Sequence, residues 1–341
     1  GDASRYMTMA EHPGTITASP WGYRIAVPYL VALCSKLSGL SLSLVFRIFQ
    51  YALFSGMGLL IYLHCRKIFR SEESGVLCCL TWVLSTASLY HLHNFAHVGI
   101  AEHLLIALGL IQLLESQYQA LVLTLLLSAL VKETIGPLLF VLAVLAMAIE
   151  KRWTRKNVAC VVVGIVGNLG IYFLLRSGAV FHGELHSFEN YTSFYTWTYV
   201  KYCYEYWNGP WGALQGFKKA FNLGWVFFFI GSYRALRSPR HRTMGVLALA
   251  LMILCCSQVL LATDVFRMAG VGAAGVALVS GLCFEKLSPL RHLLIALLFG
   301  IGTLQYNNGV ETARGGRISL WLIALALAVL CILPKSRIRK T

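Results

Sequence analysis

Ionisable and aromatic side chains collect in five short stretches of an otherwise apolar chain. An acid and a base open the sequence in "GDASRY", a lysine adjoins an acid in "KET" at 132–134, and "TDVFR" at 263–267 carries both signs. The other two stretches are the histidine-rich "YHLHNFAHVGIAEH" at 90–103 and an aromatic segment within 177–221. Carboxylates can accept a proton, and arginine and lysine can bind phosphate. Together on one side, these groups suit an active site at a membrane surface.

The elements that must position these groups are transmembrane helices. Hydrophobic residues make up 57% of the 341 residues, charged residues only 13%, and the mean hydropathy is +0.67. The apolar blocks are roughly 15–24 residues long, the length of a helix that crosses a ~30 Å hydrocarbon layer. Runs such as "LVLTLLLSALV" do not alternate as the strands of a membrane barrel do. The sequence predicts an all-α, polytopic bundle forming a single integral-membrane domain, 1–341.

The net charge of +15 comes mainly from short basic patches between the apolar blocks. Such patches mark cytoplasmic loops in membrane proteins, so the charge does not indicate nucleic-acid binding. The ten cysteines fall mostly inside apolar blocks, where they act as small core residues, and none has zinc-site spacing. The basic patches are 65–70, 150–156, 233–242, 285–292 and 334–341.

Placing every basic patch on one side threads about eleven spans through the membrane. The C-terminus is then cytoplasmic, 177–221 is a long extracytoplasmic loop, and all five chemical stretches are extracytoplasmic. A bacterial inner (plasma) membrane is the expected location. The predicted spans are 41–64, 74–92, 98–115, 118–132, 134–149, 157–176, 222–236, 243–262, 268–285, 292–306 and 318–334.

The opening segment, 1–40, is predicted to be the first extracytoplasmic loop. Residues 25–36 are too short to cross the bilayer and are expected to form an interfacial helix. The chain has no initiator Met and an acid at its second residue. We therefore expect that a first transmembrane helix precedes Gly1 in the parental protein.

Each candidate residue also has a structural interpretation. Asp2 could cap a helix, and Lys132 with Glu133 could be a neutralised pair at a helix end. His91, His93 and neighbouring histidines are irregularly spaced for a metal site and could hold backbone carbonyls at the interface. The aromatic residues of 190–211 would suit an interfacial belt.

The order of these parts resembles the GT-C superfamily of integral-membrane glycosyltransferases, which use polyprenyl-phosphate-linked sugars as donors. "GDASRY" is similar to the acid at the outer end of the first span in that superfamily, followed by an aromatic residue. "WGYRIAVPYL" (21–30) is similar to the Tyr-Arg-x-x-x-Pro segment of bacterial members, and "LVKETIGPLL" (130–139) to their Lys-Glu segment before a proline. The architecture is similar over nearly the whole chain, whereas these motifs cover about thirty residues.

The resemblance implies an inverting transfer of sugar at the extracytoplasmic face, in the synthesis of cell envelope polysaccharide. Asp2 would be the base that accepts the proton of the acceptor hydroxyl. The acceptor would be a glycan, a lipid or a protein. The ligands of the donor phosphate would be Arg24, Lys132 and Arg267, with Tyr6, Tyr23, His91, His93 and Glu133 around them.

Two departures from the superfamily pattern bear on this expectation. The first span is absent, and the first-loop acid is single where many members carry two, which leaves the use of a divalent metal open; no cofactor is otherwise indicated.

Two other functions remain. A polysaccharide polymerase or ligase would use a lipid-linked oligosaccharide, and a secondary transporter would show internal repeats and charges at mid-span.

Overall fold

The computed structural model describes residues 2–13, 24–93, 96–176, 220–221, 223–258, 265–285 and 287–307. Every secondary-structure element in these ranges is helical, which confirms the predicted helical fold class. The described helices are α1 (Asp2–Glu11), α2 (Ala26–Ser38), α3 (Leu42–Phe69), α4 (Glu72–Val83), α5 (Thr86–His93), α6 (Gly99–Leu114), α7 (Tyr118–Val131), α8 (Ile135–Glu150), α9 (Arg155–Arg176), α10 (Gly224–Arg237), α11 (Arg242–Gln258), α12 (Val265–Gly270), α13 (Ala273–Phe284) and α14 (Pro289–Asn307).

Helix α13 lies at the centre of the bundle. All twelve of its residues are buried, and it packs against α3, α4, α6, α10 and α11. A helix that is apolar all round can be accommodated only among other helices or in lipid. Gly231 of α10 approaches its backbone closely: a Cβ at this glycine would lie 2.1 Å from the carbonyl oxygen of Val279. Small residues allow such close packing between apolar helices.

The outer surface of the bundle is apolar over large areas. Leu123 on α7, Val166 on α9 and Ile253 on α11 are more than 60% exposed. Among the described helices, two are long and apolar enough to cross a membrane: Leu42–Phe69 and Arg155–Leu175. Several others are apolar but have 10–17 residues. The arrangement in about eleven spans therefore stays a prediction.

The basic patches that the structure describes meet at one end of the bundle. Lys67 at the end of α3 lies 2.7 Å from Glu115, which follows α6. Ser116 in the same turn donates a hydrogen bond of 3.3 Å to Glu150 at the end of α8. We call this end, where α3, α6 and α8 finish, the basic end.

The remaining described patches lie at the same end. Arg234 near the end of α10 donates a hydrogen bond of 2.9 Å to the carbonyl oxygen of Leu282 on α13. The ring of His241, just before α11, lies 6.1 Å from that of Phe69. The patches 65–70, 150–156, 233–242 and 285–292 therefore share one end of the bundle, whereas 334–341 lies outside the described residues. The side of the membrane that this end faces stays a prediction.

Two predicted spans are not continuous helices. The span 74–92 divides into α4 and α5 at Leu84, and the hydroxyl of Ser85 caps the new helix by accepting a hydrogen bond of 3.2 Å from the Ser88 N–H. The span 268–285 divides into α12 and α13 at Val271 and Gly272. Hydropathy stays high across both breaks because the residues that turn the chain are themselves apolar or small.

The opening 40 residues contain more helix than expected. Residues Asp2–Glu11 form α1, in a segment predicted to be a loop, and α1 packs against α2 and α3. The predicted helix at 25–36 is present as α2, which ends at Gly39 with a φ of 71°. The span 318–334 and most of the loop 177–221 lie outside the described residues.

Candidate active site

Arg24 connects three separate segments at the end of the bundle opposite the basic end. Its guanidinium makes a two-pronged contact with Glu133: Nε donates to Oε2 at 3.1 Å and Nη2 donates to Oε1 at 2.7 Å. Nη1 donates to the hydroxyl of Tyr6 at 3.2 Å. Tyr6 lies on α1, Arg24 precedes α2, and Glu133 lies in the turn between α7 and α8. The structure therefore brings together three of the residues predicted from the sequence.

This ion pair is withdrawn from solvent. The side chains of Arg24 and Glu133 are 10% and 12% exposed, and Tyr6 is 1% exposed. Burial alone would raise the pKa of Glu133, but the charge and hydrogen bonds of Arg24 outweigh burial and lower it to about 2. Burial acts against the charged form of Arg24, yet Glu133 and Tyr6 raise its pKa well above the usual value. Both groups are therefore ionised at neutral pH.

Lys132 binds a carboxylate for which the sequence predicts no role. Its Nζ donates to both carboxylate oxygens of Glu102, at 2.7 and 2.8 Å, and the two side chains are 9% and 4% exposed. Glu102 lies in the first turn of α6, thirty residues before Lys132. The adjacent residues Lys132 and Glu133 thus each take a partner from elsewhere in the chain. The feature of the sequence that could have indicated Glu102 is its position as the one acid in the histidine-rich stretch 90–103.

Three histidines form a buried cluster beside this pair. The ring centroids of His91 and His103 are 4.9 Å apart, and those of His91 and His97 are 6.1 Å apart. The ring of His91 packs directly against Gly99, where a Cβ would lie 2.0 Å from the histidine Cε1. The sequence predicts His91 among the residues around the phosphate ligands. It predicts no role for His97 and His103.

The histidine cluster also reaches the first helix and the core of the bundle. The rings of Tyr6 and His97 are 6.1 Å apart, and those of Trp82 and His103 are 5.3 Å apart. The side-chain amide of Gln50 on α3 donates a hydrogen bond to the backbone carbonyl of His97. The Tyr6–Arg24–Glu133 group, the Lys132–Glu102 pair and the histidines therefore lie at one end of the bundle.

For three other predicted site residues the structure describes only the backbone, and for a fourth it describes nothing. Asp2 is the first residue of α1, His93 is the last of α5, and Arg267 lies on α12; their side chains are outside the described set, as is all of Tyr23. Helix α12 packs against α5, and a Cβ at Gly270 would lie 3.3 Å from Cε1 of His103. The helix that carries Arg267 thus adjoins the histidine cluster.

The electrostatics of the site are those of two neutralised pairs. Arg24 and Lys132 balance Glu133 and Glu102, so these four groups add no net charge. Buried ion pairs are costly to break by removing one partner, because the other charge is left without compensation. An anion that bound here would have to share a cation with its carboxylate. Among the residues that the structure describes, no three His, Cys, Asp or Glu side chains are arranged so that they could hold a metal ion, and this includes the three histidines.

Comparison with known families identifies the chain as a membrane protein. The family described as "Predicted membrane protein (DUF2079)" matches residues 27–202, more than half of the 341 residues. The chain belongs to this family. No curated protein and no solved structure matches it significantly.

The DUF2079 match runs from α2 through α9 and beyond. It includes Glu102, Lys132 and Glu133, whereas Tyr6 and Arg24 lie before it. Membership of DUF2079 and the two long apolar helices support association with a membrane. The exposed apolar surfaces of α7, α9 and α11 suit contact with lipid.

Proposed function

We propose that this protein is a membrane glycosyltransferase that transfers a sugar from a polyprenyl-phosphate donor to an acceptor. The observation that carries the proposal is the set of contacts made by Arg24. The resemblance to the GT-C superfamily rests on three segments, and Arg24, Tyr6 and Glu133 come one from each of them. Their side chains meet within hydrogen-bonding distance, although nothing in their spacing along the sequence requires it.

The proposed chemistry is a direct displacement at the anomeric carbon. Asp2 accepts the proton of the acceptor hydroxyl, the acceptor oxygen forms the new bond to the sugar, and the bond from the sugar to the phosphate oxygen breaks. The polyprenyl phosphate leaves with the electrons of that bond. The anomeric configuration is inverted, as expected for a single displacement.

The cations in this scheme act on the departing phosphate. Arg267 is proposed as a phosphate ligand, together with Arg24 and Lys132, which share their positive charge with the phosphate and with their carboxylates. Preorganised donors that face a developing negative charge lower the barrier without further rearrangement. Glu133 and Glu102 would hold the cations in position before the donor binds, and Tyr6 would orient Arg24.

The proposed topology places this chemistry outside the cytoplasm. The described basic patches share one end of the bundle, and the candidate site lies at the other ends of α6, α7 and α8. By the positive-inside rule, the basic end faces the cytoplasm. We accordingly propose about eleven spans in a bacterial inner membrane, a cytoplasmic C-terminus, and a role in making cell envelope polysaccharide on a glycan, lipid or protein acceptor.

The test is turnover of polyprenyl-phosphate sugars by the purified protein in nanodiscs. Release of polyprenyl phosphate and labelling of an acceptor are expected from the unaltered chain. Asp2→Asn should lower turnover by about 10²–10⁴-fold, because the amide cannot accept the proton. Glu11→Gln, at the exposed opposite end of α1, is the matched control and should keep full turnover. Turnover by Asp2→Asn at the unaltered rate would remove the base from the proposal.

A secondary transporter is the second candidate, and the buried Lys132–Glu102 pair beside three histidines favours it. Ionisable groups inside helical membrane proteins can form proton relays. Proteoliposomes in which the protein couples solute uptake to a proton gradient, with no turnover of any lipid-linked sugar, would decide for transport.

A further inference from the structure

A cavity of about 720 Å³ opens at the basic end of the bundle, away from the candidate active site. Three arginines line it: Arg237 ends α10, Arg240 lies in the turn, and Arg242 begins α11. All three are exposed. No described carboxylate lies within salt-bridge distance of any of them. The three arginines thus line one space, and none of them takes part in a described ion pair.

Glu150 supplies the one carboxylate among the described residues of the cavity wall, and it already has partners. Glu150 lies 3.0 Å from Nε of Arg152 and accepts a hydrogen bond of 3.3 Å from the hydroxyl of Ser116. Its negative charge is therefore balanced by a fourth arginine. The ionisable residues that line the cavity are three arginines and one glutamate, so their net charge is positive and favours an anion.

The start of α11 also favours an anion. Arg242 and Thr243, the first two residues of this 17-residue helix, both line the cavity. The first N–H groups of a helix have no partner inside it, and together with the helix dipole they attract anions such as phosphate. Arginine is also the side chain best shaped for two-pronged contact with phosphate oxygens.

An apolar surface continues from the cavity along α10. Phe229, Tyr233 and Leu236 are 61%, 54% and 42% exposed, and their spacing places them on one face of the helix. The guanidinium of Arg237 lies over the ring of Tyr233, 4.4 Å from its centroid. This contact joins the charged cavity to the apolar face. A ligand with an anionic head and a hydrocarbon tail could bind both.

We propose that this cavity binds a phosphate group, and that the apolar face of α10 makes an anionic phospholipid its source. The phosphate lies among Arg237, Arg240 and Arg242, and an acyl chain follows Tyr233 and Phe229 along the helix. The cytoplasmic leaflet, where the positive-inside rule places this end, attracts basic clusters through its anionic lipids. The site is independent of the proposed glycosyl transfer.

The test uses the full chain with the cavity arginines neutralised in R237Q/R240Q/R242Q. Phosphatidylglycerol is titrated into protein in a neutral detergent, with phosphatidylcholine as the neutral comparison lipid, and binding is followed by thermal stability. The variant should bind phosphatidylglycerol about 100-fold more weakly, since each cation near an anionic lipid contributes roughly fivefold. The control K151Q/R155Q/K156Q removes three exposed charges from the same end, outside this cavity, and should bind nearly as the unaltered chain does.

Three outcomes would contradict the proposal. An equal loss in both variants would show that only the overall charge of the basic end matters. Equal binding of phosphatidylglycerol and phosphatidylcholine by the unaltered chain would show that the cavity does not select an anionic lipid. If inorganic phosphate stabilised the protein and phosphatidylglycerol did not, the phosphate bound in the cavity would not come from a lipid. Circular dichroism of each variant in the same detergent establishes that the helices are intact.

Discussion

The carboxylate of Glu133 lies 2.7 Å from the guanidinium of Arg24, although the two residues are 109 positions apart in the sequence. Neither belongs to the body of a helix: Arg24 precedes α2, and Glu133 lies in the turn that joins α7 to α8. The contact fixes the opening of the chain to a hairpin formed a hundred residues later. It is both part of the proposed active site and a structural connection, and these roles can be separated experimentally.

Removing either partner should destabilise the protein strongly. Arg24→Gln leaves the buried Glu133 without its counter-charge, at a cost of about 3–5 kcal/mol in the free energy of unfolding. The double variant R24Q/E133Q should lose less than the sum of the two single changes, because no unpaired charge remains. Unfolding by denaturing detergent, measured for all four proteins of the cycle, gives the coupling. Strict additivity would mean that the two side chains do not interact.

Acid should weaken the same contact. The pKa of Glu133 is lowered in the folded protein to about 2 from its usual 4.5, so its stabilising effect is present above pH 4.5 and is lost as the pH falls toward 2. The shift corresponds to about 3 kcal/mol of stability. Glu133→Gln removes this titration. The unfolding free energies of the two proteins should therefore differ more at about pH 7 than at about pH 2; an unchanged difference would contradict the assignment.

Gly99→Ala should disturb the histidine cluster. The new methyl group would lie 2.0 Å from Cε1 of His91, and overpacking of this kind costs about 1–3 kcal/mol. In a His91→Ala background, the same Gly99→Ala change should cost much less stability, because the clashing ring is absent. Gly56→Ala in α3, where nothing lies within 4 Å of the new Cβ, is the control and should be neutral or stabilising by up to ~1 kcal/mol. The measurement is the thermal unfolding midpoint of each variant.

The proposed orientation can be tested with single cysteines in a background without the ten native ones. Glu11 on α1 and Arg155 at the start of α9 are both exposed, and they lie at opposite ends of the bundle. A membrane-impermeant maleimide added to intact cells should label Glu11→Cys and spare Arg155→Cys until the cells are opened. The reverse labelling pattern would invert the topology.

Hydropathy predicted the helices best where polar turn residues separate the apolar blocks. The predicted spans 98–115, 118–132 and 134–149 correspond to α6, α7 and α8 within one or two residues, because "ESQ" and "KET" mark the ends. Hydropathy does not predict the divisions between α4 and α5 and between α12 and α13. Each depends on local hydrogen bonds between small or apolar residues, such as that from the Ser88 N–H to Ser85, which do not lower the hydropathy.

The members of the candidate site were easier to predict than their partners. The sequence singles out Arg24, Lys132 and Glu133 because they lie in the segments that resemble the GT-C superfamily. It could not show that Lys132 binds Glu102, because that contact depends on how α6 and α7 pack side by side. The histidine cluster likewise depends on Gly99, whose missing side chain admits the His91 ring. Such pairings arise from three-dimensional packing between helices.

The shortness of the α7–α8 hairpin has a consequence for the surrounding bilayer. Its helices have 14 and 16 residues, and at 1.5 Å per residue they are about 21 Å and 24 Å long, whereas the 28 residues of α3 extend for about 42 Å. A hydrocarbon layer of ~30 Å is thicker than the hairpin is long. In the proposed orientation, with the hairpin upright and its basic end at the cytoplasmic boundary, Lys132 and Glu133 would lie below the level of the outer headgroups, unless the bilayer thins to meet them. Hydrophobic mismatch would then bring lipid phosphates down to the ion pairs.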